Sequence, residues 1–172
     1  MSQKICNQGV TLVELLVTLS IAAVLLAGAI PAFQGTLERL QLSTTTNDLL
    51  LAVNLARTEA ASRRTRVAIV PQRANNWASG WHVFIDANDN GQFDAGEVIL
   101  RTFDAVPARM TVDATFGAYD AHVLSFDHTA LLRRPGSNGL VLGRMTLTTS
   151  AGVRTLCFSA ASVRTVRAPA CT

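Results

Sequence analysis

The chain has 172 residues, 49% of them hydrophobic, and its 15 basic and 12 acidic side chains give a formal charge of +3 at pH 7. That length suits one globular domain beside a membrane helix and leaves little room for two, and so mild a charge does not by itself call for a polyanionic partner. His82, His122 and His128 are scattered, no serine or cysteine sits in a nucleophile elbow, and no glycine-rich phosphate loop is present, so nothing reads as an enzyme.

The first element is a short polar leader, MSQKICNQG, followed by an apolar run from Val10 to Phe33 that contains one acid, Glu14. As helix, residues 10–33 extend about 36 Å, enough for a hydrocarbon core of about 30 Å, so a single membrane span is predicted. A carboxylate costs on the order of 2.5–3.5 kcal/mol at the bilayer centre and less near the interface. Glu14 therefore needs a partner or a shallow position. Gly9, Thr11, Leu12 and Glu14 together resemble the class III signal of type IV pilins and type II secretion pseudopilins. The resemblance implies that prepilin peptidase cuts between Gly9 and Val10 and that the new N-terminus is methylated, although Val10 stands where the family more commonly has Phe. It also implies that Glu14 pairs with the Val10 amine of an adjacent subunit during assembly. A rival reading takes Lys4 as the charged flank of a secretory signal, Leu15 to Leu26 as its apolar core and Ala27-Gly28-Ala29 as its cleavage site, which would release a soluble protein. Glu14 and the helical pattern beyond Pro31 speak against it.

Past Pro31, whose ring removes a backbone hydrogen bond and is expected to kink the helix, Leu37, Leu40, Leu49, Val53, Ala56 and Ala60 keep a roughly helical spacing to about Arg63. The helix exit, Ala56-Arg57-Thr58-Glu59-Ala60 followed by a Val-rich strand, resembles the FimT/GspH family. Short runs bounded by Gly, Pro, Asn and Asp then recur at 66–70, 80–86, 97–103, 110–112, 123–126, 140–148 and 153–158, which reads as antiparallel sheet. The fold class is α+β: a long N-terminal α-helix packed on a C-terminal antiparallel β-sandwich. The organisation is leader 1–9, membrane half of the helix 10–33, periplasmic half 34–65 and β-rich domain 66–172.

Within the second half of the chain, Asp86-Ala87-Asn88-Asp89-Asn90-Gly91 with Glu97 satisfies a calcium-loop pattern in which Asp86, Asn88, Asn90, Asp94 and Glu97 would supply oxygens. The flanks alternate as strands, whereas an EF-hand needs helices. The competing reading is a hairpin tip built from Asn and Asp turns with Gly91 at positive φ. The segment GWHVFIDANDNG also resembles the Gly-Trp-x-x-Phe-x-Asp turn of FimT/GspH-like proteins, which favours the hairpin and no cofactor, with calcium as the alternative.

Leader removal takes away Cys6 and leaves Cys157 and Cys171, which in an oxidising periplasm would form a disulfide rather than stay as two thiols. From Arg133 onward the chain carries Arg133, Arg134, Arg144, Arg154, Arg164 and Arg167 and no acid. Arginine binds phosphate in a fixed fork, so Arg154, Arg164 and Arg167 are candidates for double-stranded DNA. The alternative is a set of solubilising charges, some paired with Asp120 or Asp127. FimT-like proteins implicated in DNA uptake carry a Gly-Arg-x-Arg element, whereas this chain has Ser162-Val163-Arg164-Thr165-Val166-Arg167; arginines three apart point to opposite faces on a strand, while in a disulfide-closed loop both could reach one phosphate track. The resemblance implies a minor pilin or pseudopilin that works by assembly, with the pilus favoured over the secretion machine. Its partners would be prepilin peptidase, other pilins and the bacterial inner membrane. It would cross that membrane once, with its C-terminal domain in the periplasm, before entering a filament.

Overall fold

The computed structural model describes residues 10–116, 122–137 and 139–171, and within 27–32 the backbone only. A single helix, α1 (Leu12–Arg63), precedes eight strands among the described residues: β1 (Val67–Arg73), β2 (Asn76–Ile85), β3 (Ile99–Phe103), β4 (Thr111–Thr115), β5 (Leu124–Phe126), β6 (Gly143–Thr149), β7 (Gly152–Phe158) and β8 (Val163–Val166). The strands form two antiparallel four-stranded sheets, in the orders β3-β2-β1-β5 and β4-β6-β7-β8. Contacts divide the chain into Met1–Leu37 and Glu38–Thr172.

Within the second unit, both sheets and the helix close one hydrophobic core. Leu42, Leu49, Ala52, Val53, Ala56 and Ala60 recur at helical spacing and are buried with Ile69, Trp81 and Leu124 of the first sheet and Met145, Leu147 and Leu156 of the second. Three alanines on that face let the backbone approach closely. Leu37 and Leu40 do not belong to the buried stripe; both are exposed, and the stripe runs instead through Glu38, Leu42, Thr45 and Thr46. The polar members fit because each can satisfy itself: Thr46 Oγ1 donates to the Leu42 carbonyl at 2.6 Å, and Glu38 accepts from Ser150 Oγ.

The family-like exit of the helix acquires a physical meaning. Ala56 and Ala60 are fully buried, and Glu59 pairs with Arg63 one turn on at 2.5 Å. Between them Arg57 donates from Nη1 to the Ala161 carbonyl at 3.0 Å and lies 5.3 Å from the Phe126 ring centroid, which ties the helix to both sheets. Burial lowers the pKa of Arg57 from the usual arginine range, and its charge is still kept at any physiological pH. The helix stops at Arg63 because Arg64 takes a left-handed conformation, φ 52°, and the Thr65 N–H reaches back to the Ala60 carbonyl at 3.3 Å.

Several strand boundaries differ from the sequence pattern: β2 begins at Asn76 rather than at residue 80, and β4 runs to Thr115 rather than ending at residue 112. β1 passes Pro71, which sits at a bulge opposite Trp81 where a missing N–H is tolerated, and turns into β2 at Asn75 with φ 62°. β6 begins at Gly143, leaving Leu140 in an isolated bridge to Arg133. β8, absent from the expectation, pairs with β7 in the segment closed by the Cys157–Cys171 disulfide, whose Cα atoms are 5.8 Å apart. Closing a loop of 14 residues is worth about 3 kcal/mol in the loop-entropy model. The kink expected at Pro31 falls where side chains are not described, while the helical backbone is assigned without a break there.

Asp127 ends β5 as a buried hub. Its carboxylate accepts from Thr129 N at 2.9 Å, Thr129 Oγ1 at 2.5 Å, Leu131 N at 3.1 Å and Arg133 Nε at 2.6 Å. Burial pushes its pKa up, but these donors outweigh burial and the net direction is down.

Two outcomes are expected. Arg64→Gly should raise stability by about 0.5–1 kcal/mol, the left-handed penalty less the extra freedom glycine gives the unfolded chain; a lower urea midpoint would show that the Arg64 side chain has a compensating role. Asp127→Asn should cost on the order of 1–3 kcal/mol at pH 7. Because the folded carboxyl titrates below its unfolded value, its contribution is complete above the ordinary aspartate range and is lost as the pH falls through the lowered folded value. Melting curves from pH 7 downward should therefore converge below about pH 4, whereas a gap independent of pH would mean that ionisation is not what stabilises the turn.

Candidate functional site

Helix α1 begins with a cap: the Thr11 side-chain oxygen accepts from Glu14 N at 3.3 Å. Thr11 and Glu14 stand at the Thr-x-x-Glu spacing of a capping box. That signal was legible in the sequence and gives Glu14 a local role, since a carboxylate in the first turn also favours the helix dipole. Every side chain of residues 12–26 is exposed, including Leu12, Leu16, Leu19, Ile21 and Leu25. So continuous an apolar surface is unfavourable in water and marks a segment that meets lipid or other helices. Gly9 lies outside the described residues, and Val10 is exposed. Among the described residues no helix is long and apolar enough to cross a membrane. The described apolar stretch 12–26 amounts to about 22 Å of helix, and the predicted span 10–33 continues through 27–32, whose side chains are not described.

The acidic loop joins antiparallel β2 and β3, as the hairpin reading expects. Asp86 is buried, and its two carboxylate oxygens accept from Asn90 N at 3.1 Å and Gly91 N at 2.9 Å. Burial raises its pKa, opposed by these two donors and reinforced by Glu97 and Asp89. Asp94 accepts from the amides of Asn88 at 3.0 Å and Asn90 at 2.7 Å, and Glu97 accepts from Ala87 N and Asp94 N, both at 3.0 Å. The five candidate calcium ligands are thus brought together, but their oxygens are directed at the loop's own donors. Among the described residues no group of three or more His, Cys, Asp and Glu is placed to hold a metal. Gly91 adopts φ +73°, and a Cβ there would meet Pro135 at 2.5 Å. The loop also carries Phe93 onto Phe84, centroids 5.3 Å apart, and Asp89 to Arg66 at 2.7 Å. It roofs the outer face of the first sheet.

The second sheet divides the C-terminal arginines. Its register sets Arg144 opposite Cys157 and Cys157 opposite Arg164, so these three form a row across β6, β7 and β8. Two strand spacings, about 10 Å, separate the backbones of the two arginines. With Thr115, Ser162 and Cys171 they line an open cavity of about 680 Å³. By alternation Arg154 belongs to the opposite, helix-facing side with Leu156 and Phe158. There Arg154 and Arg167 line a second cavity, of about 570 Å³, with Arg39. The predicted set of Arg154, Arg164 and Arg167 is therefore split between two faces. Arg144 and Arg39 were missed because their proximity comes from strand register and helix packing, to which sequence spacing is blind. Arg133 is one of the arginines that pair with acids, through Asp127, and Asp120 lies outside the described residues.

Comparison with known proteins agrees with this architecture. The model of the family described as "Type II transport protein GspH" matches residues 45–167, and that of the "Prokaryotic N-terminal methylation motif" matches residues 5–30. A protein described as "Pilin-like protein PilA1" from Thermus thermophilus is 34% identical over 79% of this chain and 86% of its own. Two crystal structures of the type IV minor pilin FimU of Pseudomonas aeruginosa PAO1 share the fold. One superimposes with a TM-score of 0.54 at 22% identity, covering 74% of this chain and 89% of FimU. The other gives 0.53 at 20% identity over 73% and 92%. With a family model spanning most of the globular region, a pilin-like relative over four fifths of the chain and a methylation motif at its head, this protein belongs to the GspH family of type IV minor pilins and pseudopilins.

Proposed function

We propose that the protein is a minor pilin of a type IV pilus, made as a prepilin, cut after Gly9, methylated on Val10 and held in the inner membrane by its N-terminal helix until it joins a filament. The observation that carries this reading is the exposed apolar face of residues 12–26, headed by Thr11 and Glu14 within the methylation motif. Such a face is satisfied first by lipid and then by the helices of neighbouring subunits. In the second setting the Val10 amine of one subunit neutralises Glu14 of another, which makes burial of the carboxylate affordable only in the correct stagger. Assembly of this kind needs no bound cofactor, and the carboxylates of the acidic loop are spent on the loop itself. The pilin-like relative and the FimU fold favour the pilus; the name of the matched family points to type II secretion, so the choice rests on experiment.

Disruption of the gene should abolish or reduce surface pili and twitching while leaving secreted hydrolases unchanged; loss of secretion with normal twitching would transfer the protein to the secretion pseudopilus. Glu14→Ala should be processed normally and yet be depleted at least about tenfold from sheared filaments, as expected when a buried ion-pair partner is removed. Normal incorporation of that variant would leave Glu14 with only its role at the head of the helix.

A second reading, capture of double-stranded DNA, is favoured by the Arg144–Cys157–Arg164 row on an open face. On this reading affinity of the full chain in detergent for duplex DNA should fall with salt, and Arg144→Gln and Arg164→Gln should each flatten that dependence by about one charge. Equal loss from Arg154→Gln would move the interface to the other face.

A further inference from the structure

We infer that Arg39, Arg154 and Arg167 form a binding site for the phosphate of anionic phospholipid headgroups, occupied while the subunit waits at the membrane surface. The inference rests on the membrane-anchored reading given above.

Three arginines line one cavity of about 570 Å³, together with Leu42 and the β6–β7 turn residues Ala151, Gly152 and Val153, and its lining holds no acid. Among the described residues none of the three side chains takes part in a hydrogen bond or an ion pair. The acid next to Arg39 in sequence, Glu38, is already engaged by Ser150 Oγ and, at 3.6 Å, by Arg109 Nη1. The ladder that pairs Thr155 with Val166 brings Arg167 beside Arg154 when continued by one residue. Like charges side by side on neighbouring strands repel, and among the described residues no acid pairs with them. An anion placed between them does. Arginine forks match the oxygens of a phosphate, and three of them around a concavity suit one compact phosphate group better than the extended track of a duplex.

Chain length supplies the source of that phosphate. Arg39 follows Phe33, the last residue of the apolar run, by six residues. Six residues reach about 9 Å as helix and about 20 Å fully extended. The headgroup layer is itself about 5–8 Å deep on each side of the hydrocarbon. Whatever the angle at that point of the chain, Arg39 cannot leave the neighbourhood of the membrane surface while Phe33 is at its edge. Basic side chains so placed are drawn to anionic lipid over distances of about a Debye length.

The test uses the full chain reconstituted into vesicles of phosphatidylcholine alone or with phosphatidylglycerol. Amide exchange is read at Ala151–Arg154 and Thr165–Ala168, and flotation reads anchoring. Phosphatidylglycerol should slow exchange in both segments by about fivefold, an effect removed by high salt and by the combined variant Arg39→Gln, Arg154→Gln, Arg167→Gln, which should still float with both vesicles. If the wild-type chain floats with phosphatidylcholine but its exchange ignores phosphatidylglycerol, this site is overturned while the anchor stands. Failure to float with either vesicle overturns the anchored reading and the site with it. Equal protection from inorganic phosphate, or from a DNA duplex added to phosphatidylcholine vesicles, would overturn the assignment to lipid.

Discussion

The core that the two four-stranded sheets share in this chain includes an apolar surface that lies against both, and residues 42–60 of helix α1 provide it. That double contact governs the residue types along the helix. Alanine at 52, 56 and 60 gives close approach where the sheets meet it, and leucine or valine at 42, 49 and 53 fills the space farther along. A large side chain at any of the alanines would have to displace a strand, because protein interiors hold few voids to take it. Arg57 adds a directional tie to this non-directional packing: its hydrogen bond to Ala161 and its stacking over Phe126 connect the helix to the turn before β8 and to the first sheet. The position of the helix exit is then fixed twice, by the core and by the left-handed turn at Arg64.

The rest of the surface is organised by what the core leaves outside. The first sheet has a second apolar face, Ala68, Phe84 and Val123, and the acidic loop covers it with Phe93. The loop that carries a cation-site pattern in sequence thus also covers hydrophobic surface in the fold. A segment rich in Asp and Asn can fold back without a metal when its oxygens find backbone donors, and Asp86, Asp94 and Glu97 all do. The second sheet leaves its outer face to the disulfide and to Arg144 and Arg164. The disulfide holds the tail after β8 against β7, and strand register decides on which side each C-terminal arginine emerges.

Legibility in the sequence followed the physics of each signal. The helix exit near Arg63 was readable because the apolar period changes there from helical to alternating, and the α+β class followed from one long helix preceding many short strands. Leu37 and Leu40 misled because they are apolar at nearly the right spacing, whereas the true stripe passes through Glu38, Thr45 and Thr46, which satisfy their polar atoms locally. Pro71 seemed to end a strand but occupies a bulge. β8 was hidden because Val163-Arg164-Thr165-Val166 is short, has two exposed positions in four and lies inside the segment closed by the bridge. At the N-terminal end, residues 5–30 match the methylation motif, a contiguous pattern of the kind a sequence carries well. The two arginine clusters have no such pattern, since each joins residues from separate elements through register.

The same division separates what the two parts of the chain can do. The N-terminal segment presents apolar side chains that have no counterpart within it, so its folding free energy is completed by something outside the chain. The unit from Glu38 onward completes its own core and offers charges. Type IV filaments demand this asymmetry. A shared helical segment must be interchangeable among subunits and therefore generic, whereas the domain it carries is free to differ in loops and charges. In this protein the β6–β7 turn is one place where such charges gather, since Arg39 of helix α1 lines one cavity there with Arg154 and Arg167. On the proposed membrane-anchored reading, residues in that position would meet lipid before assembly and neighbouring subunits after it, and an anion supplied in either setting would relieve the repulsion between the neighbouring arginines.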